Sequence, residues 1–411
     1  MIANVIVFGT ASILIALLNF AFVSIASHLL VPEELAKFIF AYSIFNVLGA
    51  IFIFGSVTKL SIIRTSNSSQ SKELSQNISV IYTQLEMSLY ILPILLLVIF
   101  VLQHYGMPVI LITAAIFAGA FKSLQLLYAN VVRIDGQVTL FLLSQLAPPT
   151  LALGSIGFLY ALDVSFTSND YFYALAIPVV ICSLVSYYLL LKKIGVQLNL
   201  SVWKNSKRTY QFSFWAALHA FFASLMTMGD RYVLWFFLAG NEYAVYSIAA
   251  VLASLLSLVY TSLNQAIVPH LYRQLNASKS RWQLVVRFSL RYFLFCLMIF
   301  LIYQLSLNTF VSIILPDEYF SSIKFARWLA LGCLIQASYQ LFSSVILFKK
   351  KPMMLTKITV AVGLFALANT VLCAYLGGAN AVIFAFSANW LIFLVVTSFF
   401  ARRLYVSEVV Y

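Results

Sequence analysis

The sequence predicts an all-α integral membrane protein with about twelve transmembrane helices in two six-helix halves around a central cavity. Three observations carry this. Of its 411 residues 63% are hydrophobic and 9% charged, where soluble domains run at about 45–50% and about 25%. Apolar stretches of spanning length, about 20 residues, follow one another with almost no room for a soluble domain. Finally, Glu34-Leu35-Ala36-Lys37-Phe38, after the first stretch, is echoed 208 positions later by Glu242-Tyr243-Ala244-Val245-Tyr246, after the seventh. The same offset carries 80–103 onto 288–311 and 171–191 onto 379–399. A parallel repeat of a six-span unit lets two similar bundles rock about a shared site and expose it alternately to either side.

The expected spans run in order. The first, about 2–27, has no basic segment before it and is matched by the seventh, so it reads as retained structure and not a cleaved leader. The second, 34–57, follows a short connection; the third, 80–104, follows the Ser/Asn-rich stretch Ser66 to Asn77. The fourth and fifth, 107–130 and 138–160, are separated by Val132-Arg133-Ile134-Asp135-Gly136, and the sixth occupies 171–191. Pro93, Pro148-Pro149 and Pro178 fall inside the third, fifth and sixth spans, where a missing amide hydrogen and a ring clash should kink or break a helix. Lys192 to Tyr210 joins the halves, predicted as 1–200 and 201–411. The second half repeats the pattern with 211–238, 243–268, 288–310, 322–347, 355–376 and 380–401.

Charge then orients the chain. With Met1 in the cytoplasm, twenty of the twenty-five Lys and Arg residues fall in inner connections. The positive-inside rule therefore puts both termini in the cytoplasm. The formal charge of +13 is accounted for by topology and attraction to anionic membrane lipids, with no call for nucleic acid. Cys182, Cys296, Cys333 and Cys373 sit singly in different spans, without metal or redox spacing. No phosphate-binding glycine loop, H-E-x-x-H or clustered carboxylate set occurs, so no cofactor, metal or ATP hydrolysis is expected. The external connections are too short for an extracellular catalytic domain, which argues against an enzyme.

The polar residues inside spans are the candidate site. Asp230-Arg231 lies in the apolar seventh span. A charge at the membrane centre costs about 2.5–3.5 kcal/mol on insertion scales, so such residues face a cavity or a partner. Two readings stay open: an ion pair locking helices, or contact with a substrate. His219, eleven residues earlier, shares a face with Asp230. Lys122 interrupts the fourth span, either snorkelling to the headgroups or meeting an anion, with Glu86 a possible partner in the third. Gln336, Gln340 and Ser343 form a stripe on the tenth helix, and Asn264 and Gln265 mark the eighth; amides of this kind glue helices or bind a polyhydroxylated ligand.

In Val132-Arg133-Ile134-Asp135-Gly136, Gly229-Asp230-Arg231-Tyr232-Val233-Leu234, Gly240, Tyr246-Ser247-Ile248-Ala249, Pro269 and Leu315-Pro316-Asp317-Glu318-Tyr319, the chain resembles the multidrug/oligosaccharidyl-lipid/polysaccharide exporter superfamily. Within it the resemblance is to the Wzx-type O-antigen and capsule flippases. It covers essentially the whole chain. The resemblance implies transfer of an undecaprenyl-pyrophosphate-linked oligosaccharide from the cytoplasmic to the periplasmic leaflet of the bacterial inner membrane, alongside other polysaccharide-assembly proteins. It also implies cationic cavity residues for the pyrophosphate, here Arg231 and Lys122; the first helix lacks them. A cation-coupled drug antiporter of the same superfamily is the alternative, and needs intramembrane carboxylates, of which only Glu86 and Asp230 qualify.

Overall fold

A computed structural model describes residues 2–65, 70–194, 207–277, 282–349 and 351–406. Apart from a short 3-10 turn at Asp317–Tyr319, its regular structure is α-helical. The helices are α1 (Ile2–Leu29), α2 (Pro32–Ile51), α3 (Ser56–Thr65), α4 (Gln70–His104), α5 (Val109–Ile134), α6 (Val138–Ala161), α7 (Ser168–Ile194), α8 (Lys207–Leu234), α9 (Gly240–Ala277), α10 (Trp282–Ile314), α11 (Ser322–Phe348) and α12 (Pro352–Val406). Among the described residues nine helices are long and apolar enough to cross a membrane. One of these, α12, holds two spans, because Gly377 and Gly378 leave the helical region and break it into arms of 352–376 and 379–406. Gly378 adopts φ 55°, ψ −144°, a conformation that side chains with a Cβ strongly disfavour. With α1 and α8, a helix stands at each of the twelve expected positions.

Three details differ from expectation. The second span stops at Ile51, because Phe54 and Gly55 take positive φ and turn the chain into the short α3. The prolines do not break their helices: α4, α6 and α7 run through Pro93, Pro148-Pro149 and Pro178. The eighth span likewise continues past Pro269 to Ala277. Much of the Lys192–Tyr210 linker, and the side chain of Gln265, lie outside the described residues.

The repeat is visible in the helix starts. Proline 32 and glycine 240, which open α2 and α9, are Pro32 and Gly240, 208 positions apart. The repeated segments bury the same positions: Leu35, Ala36 and Phe38 in one, Tyr243, Ala244 and Tyr246 in the other, each 0% exposed.

By packing, the chain forms two compact units, Met1–Ala36 with Leu225–Tyr411, and Lys37–Ser224. In the first, α11 is the hub, packed on α9 and α12. Tyr339 stacks on Phe393 at 3.9 Å, and the Phe386 ring lies over Gly332, where a Cβ would overlap it. The helix α1 packs along α9; Phe20 meets Phe310 at 5.5 Å, and Ser24 Oγ donates to the Ile314 carbonyl at 3.0 Å. His28 Nε2 lies 2.9 Å from that carbonyl. Together they serve the last carbonyl of α10, a group that a helix end leaves unsatisfied.

In the second unit α7 packs between α5 and α6. Phe38 meets Tyr171 edge-on at 5.0 Å, and Phe45 meets Phe172 at 6.3 Å. A Cβ at Gly119 would stand 2.9 Å from the Phe45 carbonyl oxygen, so glycine lets α5 approach α2 closely. Gly119 and Gly332 are 213 positions apart, the separation of the first residues of α5 and α11. The two glycines therefore take corresponding places in their helices, although Gly119 admits α2 and Gly332 admits the second arm of α12. At the end of α5, Asp135 and Gly136 turn the chain, and Lys193 of α7 pairs with Asp135 at 2.6 Å and also bonds Gln137.

Candidate functional site

Asp230 and Arg231 sit near the end of α8 with 6% and 5% exposure, so both charges are withdrawn from solvent. Among the described residues no ion pair joins them, as expected for neighbours that point about 100° apart on a helix. Asp230 Oδ2 instead accepts a 2.5 Å hydrogen bond from Tyr246 Oη on α9. Its Oδ1 and the Arg231 Nε carry no hydrogen bond. A cavity of about 30 Å³ lies beside them, lined also by Thr227, Ser254, Ser257, Cys333, Gln336 and Phe386. That volume holds roughly one water. A larger ligand requires the helices to part.

Gln336 Oε1 accepts from Ser257 Oγ at 2.7 Å, and one turn on Gln340 Nε2 donates to Thr261 Oγ1 at 3.0 Å. The stripe read from the sequence is thus a two-rung ladder between α11 and α9. Gln336 also reaches the cavity, whereas Gln340 does not line it. Ser343 bonds back to the Gln340 carbonyl.

Lys122 and His219 belong to the other unit. Lys122 is half-buried; its Nζ donates to Asn46 Oδ1 at 2.7 Å and lies 4.3 Å from the centre of the Phe45 ring. The suggested partner Glu86 is not beside it, and accepts instead from Tyr90 Oη at 3.0 Å on its own helix. The Lys122 stem passes Gly49, where a Cβ would stand 3.1 Å from Cδ. Gln84 Nε2 bonds Ser123 Oγ at 3.2 Å, and Gln125 donates to the Ser144 carbonyl. Gln125 therefore braces α6 and is not presented to a ligand. His219 is half-buried on α8.

Sequence reasoning missed Tyr246, Ser257 and Thr261 as partners. The last two repeat the i, i+4 spacing of Gln336 and Gln340, and that matched spacing was the available signal. It missed as well the amide pair Asn369 and Asn389, where Asn369 Nδ2 donates to Asn389 Oδ1 at 2.9 Å across the arms of α12. Asn389 Nδ2 reaches Thr370 Oγ1 at 3.2 Å, so the pair acts as interhelical glue.

No family model and no curated protein matches the chain. Solved structures do. An inward-facing multidrug-resistance MATE-family transporter of the MOP superfamily superposes with TM-score 0.74 at 14% identity, over 96% of this chain and 95% of that one. An outward-facing MATE transporter gives 0.70 at 14% identity, over 98% and 96%. A MOP-superfamily transporter from Pyrococcus furiosus gives 0.65 at 15% identity, over 98% and 96%. The protein is a multi-pass membrane protein with the fold of these transporters.

Proposed function

We propose that this protein translocates an undecaprenyl-pyrophosphate-linked oligosaccharide from the cytoplasmic to the periplasmic leaflet by alternating access, in the assembly of O-antigen or another surface polysaccharide. In this reading the halves 1–200 and 201–411 are the bundles that move, and no covalent step is needed. The observation that carries the proposal is Lys122. Among the described residues its contacts, the Asn46 amide oxygen and the Phe45 ring, are neutral, so they hold its charge without neutralising it. An ammonium held this way suits an anionic headgroup and opposes a cationic drug. Sugar hydroxyls and phosphate oxygens each cost several kcal/mol if left unpaired in hydrocarbon. Gln336 and Arg231 would meet them once the cavity beside α8 opens. Of the similar structures, the Pyrococcus furiosus transporter is described as having a binding pocket of reverse polarity that suggests a different function. The fold thus accommodates binding pockets of differing polarity.

The test is a deletion strain. Loss of surface polymer with lipid-linked repeat units held in the cytoplasmic leaflet supports the proposal; normal polymer in a strain without a second flippase refutes it. Complementation with Lys122→Met at normal membrane abundance should restore little polymer, and Lys122→Arg more, since the guanidinium retains the charge and adds bidentate hydrogen bonding.

A second reading, a cation-coupled antiporter, draws on the Asp230 Oδ1 that faces no partner. It predicts drug or cation efflux driven by an ion gradient and abolished by Asp230→Asn, with polysaccharide unaffected by deletion.

A further inference from the structure

Two apolar grooves flank the exposed face of α7 near its N-terminal end. The larger, about 540 Å³, runs between α5 and α7, with Ala114, Ala118 and Ala176 in its lining beside the exposed Ile110, Phe117 and Ile181. The smaller, about 280 Å³, runs between α6 and α7 and is lined by Ser155, Phe158, Leu159, Ala174 and Pro178. Tyr173 and Ile177 line both, and form the ridge between them. The larger groove has no charged residue in its lining; of its two hydroxyls, that of Thr113 already donates to the Val109 carbonyl, and the other is the Tyr173 phenol on the shared ridge.

Along α7 the larger groove runs from Tyr173 to Ile181 and the smaller from Asp170 to Pro178, about 12 Å each and a little less than half of the roughly 30 Å hydrocarbon core. Each groove therefore matches the depth of one leaflet. Two parallel slots astride one ridge suit a lipid with two chains, and a single-chain amphiphile would leave one slot empty.

The polar end of the smaller groove supplies the headgroup chemistry. It is lined there by the half-buried Asp170. The connection Ala161 to Asp170 carries two carboxylates, Asp163 and Asp170, and no basic residue. Asp170 Oδ2 accepts from Thr167 N at 3.1 Å and Oγ1 at 2.6 Å, an N-terminal cap that fixes the carboxylate in place. An acidic mouth repels anionic phospholipid and attracts an ammonium.

From this geometry we infer that the α5/α6/α7 face is a binding site for a diacyl phospholipid with an ammonium headgroup, of the phosphatidylethanolamine type, with one chain in each groove and the amine at Asp170. The inference does not rest on the identity of the translocated substrate.

The test uses the full-length protein in micelles doped with equal amounts of phosphatidylethanolamine and phosphatidylglycerol of identical chains, read by native mass spectrometry. The wild type should retain the ethanolamine lipid about fivefold over the glycerol lipid, the factor that about 1 kcal/mol for one interfacial charge makes. Asp170→Asn keeps an oxygen for the cap and should bring the ratio to one. Ala114→Trp should fill the larger groove and lower retention of both lipids. Phe117→Ala, which removes an exposed side chain from the lining, should lower it too and guards against a Trp variant that does not fold. Equal retention by the wild type, an unchanged ratio in Asp170→Asn, or displacement of the phospholipid by a polyprenyl phosphate at equal concentration would each overturn the assignment.

Discussion

Tyr246→Phe removes one oxygen atom, yet it takes away the hydrogen bond that Asp230 accepts from Tyr246. The other carboxylate oxygen is already unpaired, so the variant leaves a carboxyl group at 6% exposure with neither oxygen bonded. In soluble proteins a hydrogen bond to a charged group contributes about 1.5–3 kcal/mol. In bilayers, side-chain couplings average about 0.6 and reach about 1.7 kcal/mol, because the unfolded reference state also finds partners. The charge and the 2.5 Å length place this bond at the upper end of the membrane range. Tyr246→Phe should therefore destabilise by about 1.5 kcal/mol, roughly tenfold in the unfolding constant. Reversible unfolding in mixed detergent and dodecyl sulfate micelles measures it. Tyr260→Phe is the internal control, since Tyr260 donates to the neutral Cys296 carbonyl at 2.9 Å; it should cost about 0.6 kcal/mol. An effect of Tyr246→Phe no larger than the control, or one that persists undiminished in an Asp230→Asn background, refutes the account of the Asp230 environment.

Three further outcomes are expected. Gly332→Ala should destabilise by about 1–3 kcal/mol through overlap with the Phe386 ring, and Phe386→Leu should recover part of it; Gly119→Ala, which meets backbone rather than a ring, should be less readily rescued by a second substitution, and unfolding of the pairs checks both. Gln336→Leu and Gln340→Leu should each cost about 0.6 kcal/mol in stability, but only Gln336→Leu, which alters the cavity lining, should depress translocation in a vesicle assay. For topology, cysteine at the exposed Ser165 should react with impermeant reagents in intact cells and cysteine at the exposed Lys351 only after permeabilisation. The reverse labelling pattern inverts the topology.

Helix positions were legible because a bilayer imposes one length and one composition on every span. Where they were misplaced, the cause was backbone geometry that letters do not carry. The Phe54-Gly55 turn looks apolar and continuous in sequence, and only its positive φ values end α2. The prolines of α6 read as breakers, but both are buried and the helix continues through them. Asp230, Arg231 and Gln336 were legible as a site because polar groups in apolar spans are few, and they do line one cavity. What the sequence withheld was pairing. Tyr246 is sixteen positions from Asp230, and Ser257 is seventy-nine from Gln336. Neither distance has a local signature, because each bond depends on how two helices cross.

The Gly377-Gly378 break joins two spans with almost no slack, and the hydrogen bond that the Asn369 amide donates to the Asn389 amide oxygen ties the arms together. For anyone engineering the protein this corner is a poor place for an epitope, a fluorophore or a protease site, because an inserted segment would pry apart arms that the turn holds in register. The connection 162–167, exposed at five of its six residues, is the better insertion point, since a loop there can lengthen at little entropic expense.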